Sequence, residues 1–263
     1  MKISFSKFHG AGNDFIMIDN RLGDYNLSSE QIAFLCHRRF GIGADGLMLL
    51  NSSSDFDFEM KYYNADGPEG TMCGNGGRCI TAFASFVGVS KNSFVFQAID
   101  GQHKADILSH SEQVWQVSLQ MIDVNAAEQN SNSYFLDTGS PHHVEFVSDL
   151  EDMDVFAKGK SIRNNEHYLP KGGTNVNFAS IENDYIKVRT YERGVEDETL
   201  ACGTGVTAVA MAAAIKEGKK RGNYRLQTRG GDLFVTFDRN EQGFTNVWLK
   251  GPAAFVFSGE IEI

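Results

Sequence analysis

The sequence predicts an α/β protein of the α+β kind, built from two similar halves. Three observations predict it. Short strand-like segments outnumber helical ones along the whole chain. A Cys-Gly-x-Gly signature occurs twice, at Cys73 and Cys202, so that 202 − 73 = 129. The segment from Val206 to Ile215 is apolar on every face, and such a helix needs burial all round, as if wrapped by a sheet. A length of 263 residues suits one large domain or two of about 130.

The strand candidates alternate in polarity or are rich in β-branched and aromatic residues. They include Phe94 to Ala98, Val114 to Leu119, Ile186 to Glu192, Leu233 to Phe237, Val247 to Lys250 and Phe255 to Ser258. Asp100-Gly101 and Gly230-Gly231 separate pairs of them as hairpin turns. Four helices are expected. One starts at Ser28, with Gln31 as its capping-box partner, and runs to about Arg39. A second follows Cys73 and stops near Gly88, and a third spans roughly Asp149 to Lys158. The fourth follows Cys202 and ends near Gly218, with Lys216, Lys219 and Lys220 placed against its C-terminal dipole.

The repeat extends beyond the two cysteines. Lys61-Tyr62-Tyr63-Asn64 parallels Arg189-Thr190-Tyr191-Glu192, Gln97…Gly101 parallels Gln227…Gly231, and Gly12-Asn13 parallels Gly139-Ser140. Four matches in one order at nearly constant offset imply two copies of one half. The expected division is 1–119, completed by the tail 252–263, and 120–251.

Composition narrows the function classes. With 24 basic and 34 acidic side chains the net charge is −10, which argues against a nucleic-acid partner. No apolar run approaches the roughly 18 residues of a membrane span, and residues 1–7 carry no signal-peptide pattern, so a cytoplasmic location is expected. Four cysteines are too few for a disulfide scaffold, and a reducing setting leaves them as thiols. Cys36 and Cys79 fall inside predicted helices and read as packing. No metal-ligand spacing and no dinucleotide fingerprint is present.

Each Cys-Gly-x-Gly opens a helix. The N-terminal backbone N–H groups there attract a carboxylate and favour a thiolate. One cysteine of this kind would read as a buried cap; two in a repeat read as a pair. Inverting a stereocentre beside a carboxylate needs a base on one face and an acid on the other, and a thiolate and a thiol can fill those roles.

These residues resemble the diaminopimelate epimerase family along essentially the whole chain. The likeness rests on His9-Gly10-Ala11-Gly12-Asn13-Asp14-Phe15, Gly41-Ile42-Gly43-Ala44-Asp45-Gly46, Tyr63-Asn64-Ala65-Asp66-Gly67, Met72-Cys73-Gly74-Asn75-Gly76, Gly173-Thr174-Asn175, Tyr191-Glu192-Arg193-Gly194 and Ala201-Cys202-Gly203-Thr204-Gly205. It implies two pseudo-symmetric halves, each a mostly antiparallel barrel-like sheet around a central helix. It implies epimerisation of LL-2,6-diaminopimelate to the meso form, on the route to lysine and peptidoglycan precursors, with no cofactor and no metal. Cys73 and Cys202 are then the catalytic acid and base, tuned by His142 and Glu192. Asn13, Asn64, Gly74, Asn75, Asn175, Glu192, Arg193, Gly203 and Thr204 are the expected substrate ligands. A small amino-acid substrate and a homodimer are the expected partners.

Two positions depart from the family pattern. Gly46 stands where some members have Gln, and Ser140 stands where many have Asn. The alternatives are a racemase or epimerase of proline or hydroxyproline, against which Asn75 and Arg193 argue, and a non-enzymatic binding or thiol redox protein on the same duplicated fold.

Overall fold

The computed structural model describes residues 1–125 and 127–263 and divides into two compact units, Met1–Leu119 with Gly251–Ile263, and Gln120–Lys250. In chain order the first unit holds strands β1 (Lys2–Gly10) and β2 (Asn13–Asn20), helix α1 (Ser29–Cys36), and strands β3 (Gly46–Asn51) and β4 (Phe58–Asn64). Helix α2 (Gly74–Phe86) and strands β5 (Ser93–Ala98), β6 (Gly101–Ser111) and β7 (Val114–Gln120) follow. The second unit holds β8 (Ala127–Gln129), β9 (Ser133–Asp137), β10 (Pro141–Phe146), α3 (Val155–Arg163), β11 (Asn175–Ile181), β12 (Ile186–Glu192) and β13 (Asp197–Thr199). Helix α4 (Gly203–Glu217), β14 (Arg221–Thr228), β15 (Gly231–Asn240) and β16 (Gly243–Glu262) complete the chain.

The two units repeat one topology. In the first, β1 to β7 pair in sequence order, parallel at β2–β3 and β4–β5 and antiparallel elsewhere. The end of β16 then pairs with both β7 and β1, which closes the sheet into a barrel without an edge. The second unit has the same parallel pairs at β10–β11 and β12–β14, with β9, β15 and the start of β16 pairing antiparallel around them. There Val124, just before β8, bridges Phe244 of β16.

Each barrel is filled by its helix. Residues Gly74–Ala84 of α2 are all buried, and α4 is buried at all but one position from Gly203 to Ala214, as a helix apolar on every face requires. In the first unit the filling is aromatic: Phe8 meets Phe83, Phe86, Trp115 and Phe255 at centroid separations of 5.6–5.8 Å. Such pairs contribute about 0.5–1.5 kcal/mol each beyond the area they bury. The matching hairpin turns also repeat, with Gly101 at φ 123° and Gly231 at φ 129°, angles that an L side chain rarely adopts.

Several boundaries differ from the sequence reading. Helix α1 has the expected Ser28–Gln31 capping box but stops at Cys36, before Arg39. The chain folds back there, as Ile42 and Gly43 donate to the Leu35 carbonyl and Ala44 to that of Cys36. Helix α3 starts at Val155, capped by Asp154, instead of at Asp149, and runs on to Arg163 instead of stopping at Lys158. The Arg189 guanidinium accounts for the shift. It donates hydrogen bonds to the carbonyls of Leu150, Glu151 and Met153, so that stretch is held as a loop. The segments Val247 to Lys250 and Phe255 to Ser258 are one strand, because β16 runs on from its ladder with β15 into its ladder with β7 and β1.

Among the described residues no helix is long and apolar enough to cross a membrane, and no group of three His, Cys, Asp or Glu side chains is placed to hold a metal ion.

Candidate active site

Each central helix begins with one of the two cysteines as its N-cap. At α2, Cys73 is extended (φ −116°, ψ 150°) and its Sγ accepts from the Gly76 amide at 3.2 Å. At α4, Cys202 has the same extended backbone and its Sγ lies 3.4 Å from Thr204 Oγ1. The second glycine of the motif has a steric reason in both. A Cβ at Gly76 would stand 2.4 Å from the Met48 side chain and 3.2 Å from the Cys73 sulfur, and one at Gly205 would stand 2.4 Å from Asn177 Oδ1 and 3.2 Å from the Cys202 Cβ. Glycine therefore leaves the thiol room beside the first helical turn, where backbone N–H groups supply partial positive charge.

The Cys73 half-site brings several expected residues together. Asn75 donates through Nδ2 to Asn13 Oδ1 at 3.3 Å, and Asn13 Nδ2 donates in turn to Asp45 Oδ2 at 2.7 Å. Asp45 is fixed by Arg38, which also pairs with Asp14, and Asp14 pairs with Lys7 at 2.8 Å. Burial alone would raise the Asp14 carboxyl, but hydrogen bonds from Arg38 and Lys7 outweigh it and hold the group at about 2. This ion network anchors Asn13. Sequence reasoning quoted Asp14 and Asp45 only as parts of motifs and passed over Lys7 and Arg38.

Asn64 closes β4, exposed, with its Oδ1 2.9 Å from where a Gly70 Cβ would be. Gly46 faces Asn64 across the β3–β4 ladder. A Cβ at Gly46 would lie 2.5 Å from the Tyr62 ring and 2.6 Å from the Tyr63 carbonyl, so Tyr62 fills the space that a longer side chain would need.

The Cys202 half-site is a hydroxyl and imidazole network. His142 Nε2 lies 2.9 Å from Thr204 Oγ1 and 3.0 Å from Ser140 Oγ. Its Nδ1 lies 3.1 Å from Asn177 Nδ2. The same Nδ2 faces the His143 carbonyl at 2.9 Å, which only an amide N–H can do, while Oδ1 accepts from Thr190 at 2.9 Å. Asn177 therefore donates to His142 Nδ1. Burial, and then the charge of Arg193, push the fully buried His142 down to about 3, so the ring is neutral. A neutral ring that accepts at Nδ1 carries its proton on Nε2 and donates it to the Thr204 or Ser140 hydroxyl. With His142 donating to it, the Thr204 hydroxyl can direct its own proton at the Cys202 sulfur. The Ser140 departure is thus absorbed into this network. Asn175 adds a further link, donating to Ser140 Oγ at 3.4 Å and the Pro141 carbonyl at 3.0 Å.

Asn175 Oδ1 accepts from the Arg193 backbone N–H at 2.8 Å, and Glu192 Oε2 accepts from Thr199 at 2.9 Å. The half-buried Arg193 guanidinium has no ion pair among the described residues, so its planar fork is available to a carboxylate. Asn177 is the residue of this half that sequence reasoning missed.

The other thiols have a different character. Burial pushes Cys36 up to about 12 and Cys79 higher still, so both stay protonated. His143 is structural, held by Tyr168 and Glu145.

The comparisons with known proteins follow the same lines. The sequence profile described as diaminopimelate epimerase matches residues 5–124 and 134–256. A diaminopimelate epimerase of Flavobacterium psychrophilum is 48% identical over 97% of this chain and 98% of its own. One from Chlorobaculum tepidum is 45% identical over 97% and 99%. Among solved structures, a PhzF-family phenazine biosynthesis protein from Bacillus anthracis superposes with TM-score 0.80 at 13% identity, covering 100% of both chains. A hydroxyproline epimerase from Agrobacterium vitis does so with TM-score 0.66 at 15% identity, covering 99% of this chain and 92% of that one. Those two likenesses concern the fold. The full-length match in sequence and the duplicated thiol-capped helices together place this chain in the diaminopimelate epimerase family.

Proposed function

We propose that the protein epimerises LL-2,6-diaminopimelate to the meso form by proton transfer between two thiols. The observation that carries the reading is the duplicated Cys-Gly-x-Gly, which sets one thiol at the start of the central helix in each unit. One cysteine, as the thiolate, takes the α-proton. The electron pair left on Cα delocalises into the substrate carboxylate, which the helix N–H groups stabilise. The other cysteine delivers its proton to the opposite face of Cα, and the thiol and thiolate have then exchanged places. Gly74, Asn75, Gly203 and Thr204 contribute the backbone donors for the reacting carboxylate, and Arg193 takes a distal one. Asn13, Asn64, Asn175 and Glu192 take the remaining polar groups. His142 acts on the Cys202 side through Thr204, and Glu192 is the second tuning group. The mechanism calls on no cofactor. The same reading extends to a cytoplasmic location and to a homodimer, and sedimentation of the purified chain tests the dimer.

The deciding experiment is incubation of LL-diaminopimelate in D₂O. Deuterium at Cα with formation of the meso isomer is expected from the parent chain, and Cys73→Ala and Cys202→Ala should each abolish the conversion. Retention of epimerisation by either variant overturns the two-thiol mechanism. Turnover of free proline or hydroxyproline in place of diaminopimelate overturns the substrate.

A further inference from the structure

Arg78 is the largest fully buried side chain and is 0% exposed. A guanidinium stays protonated in proteins, so a positive charge is sealed beneath the start of α2. Its hydrogen bonds among the described residues are to neutral groups: Nη1 donates to the Gly74 carbonyl at 3.1 Å and Nη2 to Asn75 Oδ1 at 2.8 Å. Its Nε is buried without an acceptor among the described residues, and no carboxylate pairs with it there. A buried cation without an anion is unfavourable, so the site lacks one charge.

Burial works against the Arg78 charge, and among the described residues the neighbouring Cys79 and Cys73 thiols work in its favour. Cys79 is sealed by burial and remains a thiol. Charged groups on the strands packed against α2 are paired elsewhere or, like Lys104 and Asp106 of β6, alternate with the buried His103 and Ala105 and so lie on the opposite strand face. Lys7 of β1 pairs with Asp14 of β2, and Asp19 of β2 pairs with Arg21. His103 of β6 pairs with Asp100, His9 of β1 accepts from the Gly12 amide, and β3 carries no titratable residue. Cys73 caps the same helix that carries Arg78, and it is the thiol that the proposed reaction turns into an anion there.

The second unit shows that the hydrogen bonding alone does not need an arginine. The equivalent position, 78 + 129 = 207, is Thr207, whose hydroxyl donates to the Gly203 carbonyl at 2.9 Å as Arg78 does to Gly74. The first unit makes the same bond with a full charge added.

We propose that Arg78 is the counter-cation of the Cys73 half-site, a positioning residue that holds the Asn75 amide and lends its charge to the thiolate formed at the start of α2. The proposal rests on Cys73 being one of the two reacting thiols, and it is tested without turnover. In a Cys202→Ser chain, the rate of Cys73 alkylation by iodoacetamide is followed against pH by peptide mass mapping. Arg78→Met and Arg78→Gln should move the rate profile up by at least about one pH unit, roughly a tenfold loss of rate near neutrality, and Arg78→Lys should restore most of it. Profiles of the neutral variants that coincide with the parent overturn the proposal, as does a lysine variant shifted as far as the methionine one. If the neutral variants do not fold, Cys73→Ala in the otherwise intact chain decides. A thiol held low in the folded state adds stability above its unfolded value near pH 8.5 and loses it as pH falls. Cys73→Ala should therefore lower the urea midpoint more near pH 9 than near pH 6, and an equal loss at both overturns the proposal. Loss of turnover in the cysteine variants with unchanged alkylation in the Arg78 series would remove this proposal and leave the proposed reaction standing.

Discussion

Asn177 Nδ2 donates to His142 Nδ1 at 3.1 Å, and the His143 carbonyl fixes which way that amide points. One strand residue on β11 thereby decides which imidazole nitrogen carries the proton, and the Thr204 hydroxyl is the next stop on the way to Cys202. If Thr204 donates to the sulfur, Thr204→Val should slow alkylation of Cys202 about tenfold at neutral pH, a charged hydrogen bond being worth about 1.5–3 kcal/mol. Thr204→Ser should stay near the parent rate. The measurement is site-resolved alkylation in a Cys73→Ser chain, and equal rates for the valine and serine variants would count against the relay.

The buried neutral His142 also has a thermodynamic signature. Its folded value of about 3 lies below the ordinary 6.5, so the unfolded chain binds the proton first as pH falls. The contribution is fully present above 6.5 and is lost progressively down to about 3. Between about pH 7 and pH 5 this removes roughly 2 kcal/mol. Urea unfolding at those two values should show the parent losing that much more than His142→Gln, and parallel losses would contradict a buried neutral ring.

Asp14 is held by Lys7 and Arg38 at about 2, below its ordinary 3.8. Its stabilisation is present above 3.8 and is lost as pH falls through about 2. Asp14→Asn should cost roughly 2–3 kcal/mol at neutral pH, because Lys7 is left buried without its carboxylate partner, and that cost should shrink as the parent is acidified and its own Asp14 takes up a proton. The Arg38–Asp45 link then loosens Asn13, so KM should rise more than kcat falls. Paired urea melts and steady-state kinetics check both parts.

What the chain discloses in advance depends on how local the cause is. The Ser28–Gln31 capping box and the Gly218 helix stop lie within a few residues of what they fix, and both stand where the sequence puts them. The four repeat matches are legible because two copies of one topology impose the same turns twice. The start of α3 is not legible, since Arg189, about forty residues downstream in sequence, takes the carbonyls that an earlier helix would use. Asn177 and Arg78 escape for the same reason. In sequence one is a polar residue on a strand and the other a basic residue in a helix. Only burial and their partners His142 and Asn75 reveal the constraint each carries.

The second glycine of the Cys202 motif joins fold and site most directly. A Cβ at Gly205 would lie 2.4 Å from Asn177 Oδ1, a contact that real side chains do not make. Asn177 is short and held by three partners, so it cannot swing aside without releasing His142, His143 or Thr190. Gly205→Ala should therefore act as loss of the Asn177 amide would: slower alkylation of Cys202, a kcat drop of about tenfold or more, and a stability loss of roughly 1–3 kcal/mol from overpacking. Gly76→Ala in the other unit meets mainly the flexible end of Met48, 2.4 Å away, and Met48→Ala should relieve it. No such second change is available at Gly205, because the obstructing atom belongs to the amide that sets the His142 tautomer. Kinetics and urea melts of the two alanine variants, with and without Met48→Ala, distinguish a clash with a yielding side chain from one with the relay itself.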